Sequence, residues 1–340
     1  LALRKHAPQL SLVLIEGSSY CEPRAGEVLP AVARDLLDQL GVLKAFAAEG
    51  HRLAHSVAAS WGKERPFETH FIFSARGPAW HLDRARFDAF LAEQVAQSEV
   101  HVLTSVQMRS AQRASDGWTM KLSDGREVGA SFVVDATGRR AAFALKAGAR
   151  RMSLDRLMAF GRTFKTNNQT APQTFIESFP HGWWYTALAG DGRVVMCLTD
   201  VDIARDLELE DRERWFTLLR ATHAIRSLID DDPGGPLLAR AANSVYLDAV
   251  CENDWLAVGD AACAYDPLSS QGITKALRSG ILAAYAIADR LSKGDASGLL
   301  RYQKLVRREC ASYRHAHARY YAAEGRWPAN LFWRRRIESR

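Results

Sequence analysis

Apolar positions along the chain fall into two patterns, short continuous runs and longer stretches with a three- to four-residue step. Residues 10–16 (LSLVLIE) are an apolar run closed by Glu16 and Gly17, which predicts a buried parallel strand. Residues 1–9 read as the end of a preceding helix. Residues 34–46 carry Leu36, Leu37, Leu40 and Leu43 on one side and predict a helix. Residues 67–74 alternate weakly as a strand, and residues 83–95 return to helical spacing through Phe87, Phe90, Leu91 and Val95. Short strands follow, with a hairpin signal at Ser123-Asp124-Gly125-Arg126 and an apolar strand, Phe132-Val133-Val134, ending in Asp135. Residues 157–199 form a second β-rich block whose tightest turn is Asp191-Gly192. Residues 211–229 predict a helix; 245–247 and 255–258 predict strands. A long helix spans 273–291, with Ile273, Ala276, Leu277, Gly280, Ile281, Ala284 and Ile287 on its buried face. A last helix covers about 298–324.

Strands alternating with helices at both ends, around a β-rich middle, predict an α/β fold in which a nucleotide-binding lobe is interrupted by a substrate lobe. The length of 340 residues also favours two lobes over one core. The expected division assigns 1–50, 80–150 and 251–294 to the first lobe and 51–79 with 151–250 to the second. Residues 295–340 form a C-terminal helical segment. Composition is ordinary for a globular protein, 47% hydrophobic and 25% charged. No apolar run approaches the roughly 20 residues of a membrane span. The five cysteines have neither metal-ligand nor redox-motif spacing, which predicts reduced core thiols and a cytoplasmic setting. A net charge of +6 is mild and predicts no nucleic-acid partner. Much of it sits in Arg334-Arg335-Arg336, read either as a solvated tail or as a patch for an acidic partner.

Two places carry candidate cofactor chemistry. Glu16 closes a strand, where an acid in a dinucleotide fold accepts ribose hydroxyls about 20 residues after the first glycine of G-x-G-x-x-G. Counting back that far passes Leu1. The other place is Trp255-Leu256-Ala257-Val258-Gly259-Asp260, an apolar strand breaking at Gly-Asp, followed by Ser270-Gln271-Gly272-Ile273 opening the long helix. Gly259 permits close backbone approach to a ligand, and Asp260 offers acceptors to a polyol. The amides of Gly272 and Ile273 lie at a positive helix end suited to an anion.

Gly259-Asp260-Ala261-Ala262 with Asp266-Pro267-Leu268-Ser269-Ser270-Gln271-Gly272-Ile273 resembles the flavin motif of the FAD-dependent monooxygenases, in the branch that contains the tryptophan halogenases and geranylgeranyl reductases. Asp135-Ala136-Thr137-Gly138 resembles that family's strand-end motif near the adenosine diphosphate. Residues 23–30, with Gly26-Glu27 and Pro30, resemble its Gly-Glu-x-x-x-Pro segment, and Asp83-Arg84 with Phe87-Asp88 and Leu91 resembles its arginine-bearing helix. Residues 320–333 resemble the C-terminal segment of flavoproteins that mature tryptophan-derived quinone cofactors. The resemblance implies a discontinuous FAD-binding, Rossmann-like domain of para-hydroxybenzoate-hydroxylase type, with an interleaved antiparallel β-sheet substrate domain and a C-terminal helix. It also implies a first strand and glycine loop ahead of Leu1. Carried over residue by residue, Glu16 binds ribose, and Ala136, Thr137 and Gly138 flank the pyrophosphate. Gly259 and Asp260 meet the ribityl–pyrophosphate portion, Pro267, Gly272 and Ile273 line the flavin ring, and Arg84 holds phosphate or ribityl.

The activity implied is hydroxylation of an electron-rich aromatic through a flavin hydroperoxide, the aromatic being a tryptophan side chain of a client polypeptide. Reducing equivalents come from NAD(P)H or a separate flavin reductase. The alternatives are a halogenase, a geranylgeranyl-type reductase and a flavin-binding maturation partner without oxygenase activity. The halogenase hallmark Trp-x-Trp-x-Ile-Pro is met only at its first fixed position by Trp183-Trp184-Tyr185-Thr186-Ala187-Leu188. Lys63, near where a relay lysine falls, reads as an exposed turn residue. His181, Trp183 and Tyr185 are the substrate-facing candidates, the rings for stacking and the imidazole for moving a proton.

Overall fold

A computed structural model describes residues 1–22, 28–71, 75–165, 174–190, 192–229 and 233–338. Two parallel strand pairs form the framework of one side of the molecule. Val13–Ile15 pairs with His101–Leu103, and Val133–Asp135 pairs with Trp255–Ala257 so that Asp135 lies opposite Ala257. The Gly272–Lys293 helix packs Ala283, Ala286 and Ile287 into a core with the second pair and Ile281 and Ala284 against the Ala2–His6 helix, and ends at Gly294 in the left-handed conformation. The Ser297–Ala322 helix then doubles back. Gly298 permits the crossing, because a Cβ there would stand 3.0 Å from Ala286 Cα. Among the described residues no helix is long and apolar enough to cross a membrane.

The other side is a seven-stranded sheet in the order Leu238–Ala241, Leu157–Lys165, Gly192–Asp200, Gly182–Ala189, Thr174–Phe179, Ser56–Ser60, Phe67–His70. Its pairings are antiparallel except that Ser56–Ser60 runs parallel to Thr174–Phe179. Side chains alternate between its faces. Phe160, Trp184 and Cys197 join one core with Trp215 of the Arg212–Arg220 helix. Leu157, Trp183 and Leu198 join another against Tyr321, Phe332 and Trp333. The Ser297–Ala322 helix therefore links both sides, contributing Leu299 and Tyr302 to the α/β core and Tyr321 to the sheet.

Several sequence expectations need correction. The stretch 34–46 is two helices, Ala33–Gln39 and Leu43–Ala48, because Gly41 takes a φ of 79° between them. The stretch 211–229 is an α-helix only to Arg220, with a separate 3-10 turn at Ile225–Leu228. The buried carboxylate of Glu177 accepts the backbone N–H groups of His223, Ala224 and Ile225, holding that segment away from a continued helix. The first strand is only Val13–Ile15 and leaves Val13 exposed. Phe67–His70 is an exposed edge strand, and residues 72–74 lie outside the described residues, as does Asp191. On the long helix Ala276 is exposed, and the burial at its start falls on Thr274 and Ser279. Its first turns therefore face an opening.

The largest correction concerns the arginine cluster. Arg336 is 6% exposed; its Nη2 lies 2.7 Å from Asp200 Oδ1 and its guanidinium 3.6 Å from the Phe332 ring centroid. Arg335 bonds both Asp200 and Asp202. Only Arg334 keeps a largely exposed head. The tail is packed, so the three arginines do not form a common docking patch.

Candidate cofactor site

The C-terminal ends of the parallel strands Val133–Asp135 and Trp255–Ala257 bring two turns side by side, the position at which open α/β sheets bind ligands. Val258 N–H donates to Asp135 C=O across them. The Asp135 carboxylate itself is not left for a ligand. It is buried and accepts from Thr137 N–H and Oγ1 and from the N–H groups of Phe143 and Ala144, so it shapes the turn that exposes Ala136 and Thr137. On the second strand, Gly259 has a φ of 55°, and a Cβ there would lie 3.1 Å from Ala276 Cβ. Ser279 Oγ accepts the Gly259 N–H. Glycine is required at this position for conformation and for room.

Asp260 is where the two turns meet electrically. Lys275 Nζ lies 2.7 Å from its Oδ1, and Arg139 Nε lies 3.8 Å from its Oδ2. Arg139 also donates to the carbonyls of Asn243 and Tyr265, and Lys275 donates to the carbonyl of Cys263 and sits 3.9 Å above the Tyr265 ring. The Lys275 side chain is almost wholly buried, whereas Asp260 keeps 32% of its side chain exposed. The result is a carboxylate open on one side and backed by two cations.

Beyond this pair the chain turns through a short 3-10 helix, Pro267–Ser269, and Ser270 at a φ of 49° into the long helix. Pro267 and Gly272 are exposed and Ile273 half-buried, with nothing within 4 Å of a Cβ built on Gly272. This turn is anchored from behind. The buried Asp266 carboxylate accepts from Tyr321 Oη at 2.6 Å and from Leu268 N–H, and stands 3.2 Å from His317 Nε2; Tyr313 Oη accepts the Asp266 N–H. Tyr321 Oη in turn accepts the indole N–H of Trp183. A continuous polar line thus runs from the middle sheet to the exposed turn.

The remaining sequence candidates are placed less centrally. Glu16 lies at the end of the other parallel pair, and its Oε1 accepts both the N–H and Oγ of Ser18. Arg84 Nη2 bonds both oxygens of Asp88 on its own helix. Residues 23–27 lie outside the described residues. Trp183 is 1% exposed with its N–H used by Tyr321, so it is a core residue and offers no stacking face. Trp184 is equally enclosed on the opposite face. Tyr185, two residues from Trp183 and so on the same face, is half-buried at the rim of that cluster together with Leu268, Trp61 and Trp327. His181 is half-buried at the turn before Trp183, and burial lowers its pKa from the ordinary histidine value. Lys63 is exposed.

The donor set fits a dinucleotide cofactor. Asp260 can accept polyol hydroxyls, Arg139 brings a cation to a phosphate, and exposed small residues line the opening at the helix start. Gly259 is buried and the space beside it is filled by Ala276, so its role is to let the long helix cross the turn and not to meet a ligand directly. Sequence reading missed Arg139, Lys275 and Ser279. Arg139 directly follows Thr137-Gly138 and could have been found by proximity to that motif. Lys275 and Ser279 become part of the site only through how the long helix crosses the turn.

The sequence model of the tryptophan halogenase family matches residues 49–339. LodB of Marinomonas mediterranea, a proposed FAD-dependent oxidoreductase, is 28% identical over 336 residues, covering 96% of this chain and 89% of LodB. The tryptophan 2-halogenase of Chondromyces crocatus is 22% identical over 297 residues, 81% of this chain and 56% of that protein. Among solved structures, the flavin-dependent halogenase CmlS superposes with a TM-score of 0.88 at 22% identity, over 98% of this chain and 64% of CmlS. The peptidyl tryptophan dihydroxylase QhpG, essential for tryptophylquinone cofactor biogenesis, gives 0.77 at 22% identity, over 98% of this chain and 74% of QhpG. The chain therefore spans less than two thirds of CmlS and of the tryptophan 2-halogenase.

Proposed function

This chain belongs to the tryptophan halogenase family, and on that premise we propose that it hydroxylates an electron-rich aromatic, a tryptophan side chain carried on a polypeptide. Family membership makes it an FAD-dependent oxidoreductase of halogenase-like fold that needs a supply of reduced flavin and an aromatic substrate. The observation that carries the hydroxylase reading is the strand Gly182–Ala189. It departs from the halogenase hallmark at Tyr185, Ala187 and Leu188, and the one tryptophan it keeps, Trp183, is locked in the core by Tyr321. The fold likeness to QhpG, a peptidyl tryptophan dihydroxylase, supports a polypeptide substrate.

When bound, FAD supplies the redox and oxygen chemistry that side chains lack. In this reading Asp260 and Arg139 hold the ribityl and phosphate portions, Ala136, Thr137 and Gly138 flank the phosphates, and Glu16 takes the ribose. Arg84 adds a cation to the phosphate or ribityl side. Pro267, Gly272 and Ile273 bound the ring, and Asp266 keeps that turn in place. Residues 1–50, 80–150 and 251–294 do the cofactor work, and 51–79 with 151–250 receive the substrate. Tyr185 is the aromatic edge available to an indole. His181, kept neutral at neutral pH by its lowered pKa, can accept a proton.

The second reading, halogenation, is favoured by the family match itself and by the likeness to CmlS. One assay separates them. Reduced FAD, oxygen and excess chloride or bromide are supplied with free tryptophan, an indole metabolite or a client polypeptide. The expected product gains one oxygen atom per event, on the client fastest. A chlorinated or brominated product overturns hydroxylation, and equal turnover of free tryptophan overturns the polypeptide substrate.

A further inference from the structure

Directly behind the Gly259–Asp260 turn lies a thiol pair that the cofactor reading does not use. Cys263 Sγ stands 3.0 Å from Cys310 Sγ, both are buried, and they join the segment after the turn to the Ser297–Ala322 helix across 47 residues of sequence. Three observations set this pair apart from Cys197 and Cys251, which are buried alone. The sulfurs are within hydrogen-bond reach of each other and need to close by only about 1 Å to reach bonding distance. Cys263 lines a cleft with Gly259, Tyr265, Lys275 and Glu309 that has room for about one water-sized molecule. Cations flank the pair: the hydrogen bond from Cys263, opposed by burial and assisted by Arg314 and Lys275, pulls Cys310 below the ordinary thiol value.

We propose that Cys263 and Cys310 are a redox-active dithiol that hydrogen peroxide converts to a disulfide, tying the Gly259–Asp260 segment to the Ser297–Ala322 helix. Cys310, which accepts the hydrogen bond of the Cys263 S–H at 3.0 Å, is the nucleophile. Its thiolate sulfur attacks one peroxide oxygen, an S–O bond forms as the O–O bond breaks, and the departing hydroxide takes a proton to leave as water. The Cys263 sulfur then attacks the Cys310 sulfur of that sulfenic acid. The S–S bond forms as the S–O bond breaks, and the second hydroxide leaves as water with the proton from Cys263. Two thiols lose two electrons in total, and one peroxide is reduced to two waters.

The test uses FAD-loaded full-length protein carrying Cys21→Ser, which removes the exposed thiol. The peroxide is added, so the outcome does not depend on which aromatic reaction the enzyme performs. After mild treatment, two of the remaining thiols should disappear, return with dithiothreitol, and yield one cross-linked peptide pair containing residues 263 and 310. Adding Cys310→Ser should abolish the thiol loss. Cys263→Ser should stop the reaction at a sulfenic acid on Cys310, trapped by dimedone. Peptide mapping of the protein without either serine change keeps the test valid if a variant folds poorly. Absence of the 263–310 link, pairing of either residue with another cysteine, or oxidation of Cys310 beyond sulfenic acid in the parent overturns the proposal.

Discussion

Two charged regions of this molecule both pair carboxylates with cations and differ in what surrounds them. Asp260 and its two cations sit at the end of a strand, with the carboxylate partly open to solvent. Arg335 and Arg336 sit at the end of the C-terminal segment, where Asp200 and Asp202 neutralise them and Phe332 and Tyr321 cover the inner one. Charge left partly open to solvent has room to meet a ligand. Charge closed off by carboxylates and rings is arranged to hold the chain. The difference shows that a cluster of basic residues cannot be assigned to partner binding until its intramolecular partners are known.

The contrast breaks most visibly at Arg336. Arg336→Ala leaves Asp200, 2% exposed at its side chain, as a buried carboxylate with one of its two cations gone. Removing one partner of a buried pair costs about 3–5 kcal/mol. Urea unfolding should show that loss with an unchanged m-value. A loss below about 1 kcal/mol would mean that the Arg336–Asp200 pair is not formed in solution.

At the open region the same kind of change should act on the ligand. Asp260→Ala should weaken FAD binding by about 1.5–3 kcal/mol, roughly a ten- to 150-fold rise in Kd. Glu16→Ala should cost less, because Ser18 already engages that carboxylate. Fluorescence titration of FAD into both variants, with unfolding of the apo-proteins as a control for folding, measures the difference. Equal affinities for parent and Asp260→Ala would remove Asp260 from the site.

Acid should probe the closed region more gently. Hydrogen bonding from Arg335 holds Asp202 down at about 2, against about 3.9 in an unfolded chain. A depressed carboxylate contributes stability that is present in full above about pH 3.9 and is lost as pH falls through about 2. Stability measured between pH 5 and pH 2 should therefore fall more steeply in the parent than in Arg335→Ala. Identical slopes would show that the Arg335–Asp202 bond is absent in solution. Because Asp202 is partly exposed, solvent screening keeps this effect below that of Arg336→Ala.

These regions also differ in how far sequence alone reveals them. Gly259-Asp260, the long helix after Gly272 and the hairpin at Asp124-Gly125 are local patterns, set by residues within a few positions of one another. They were legible for that reason. Arg336 and Asp200 are 136 residues apart, and nothing near either position signals the other. Trp183 shows the same limit. The strand's alternation puts it on one face with Tyr185, but its burial depends on Tyr321 and Trp333 covering that face, which only the folded chain reveals. Lys275 lies 15 residues from Asp260, yet its contact depends on the left-handed turn at Gly259 and the crossing of the long helix.

The smallest effect should come from the arginine that most resembles its neighbours in sequence. Arg334 has a side chain 53% exposed, and its nearest acid, Glu338, is 3.9 Å away on the next helical turn. Surface pairs of this kind contribute about 0–1 kcal/mol and are screened by salt. Arg334→Ala should shift unfolding by no more than about 0.5 kcal/mol and leave FAD affinity within error. Set beside Arg336→Ala, it changes the same residue type two positions away, so helix propensity and net charge change almost equally in both. The difference between the two variants then isolates burial and pairing. If Arg334→Ala proved as damaging as Arg336→Ala, the segment would be acting through its total charge, and the contrast between an open and a closed charged region would fail. If instead Arg334→Ala left stability intact but slowed turnover of a client polypeptide in a salt-dependent way, the one exposed arginine would remain as a steering charge for an acidic partner.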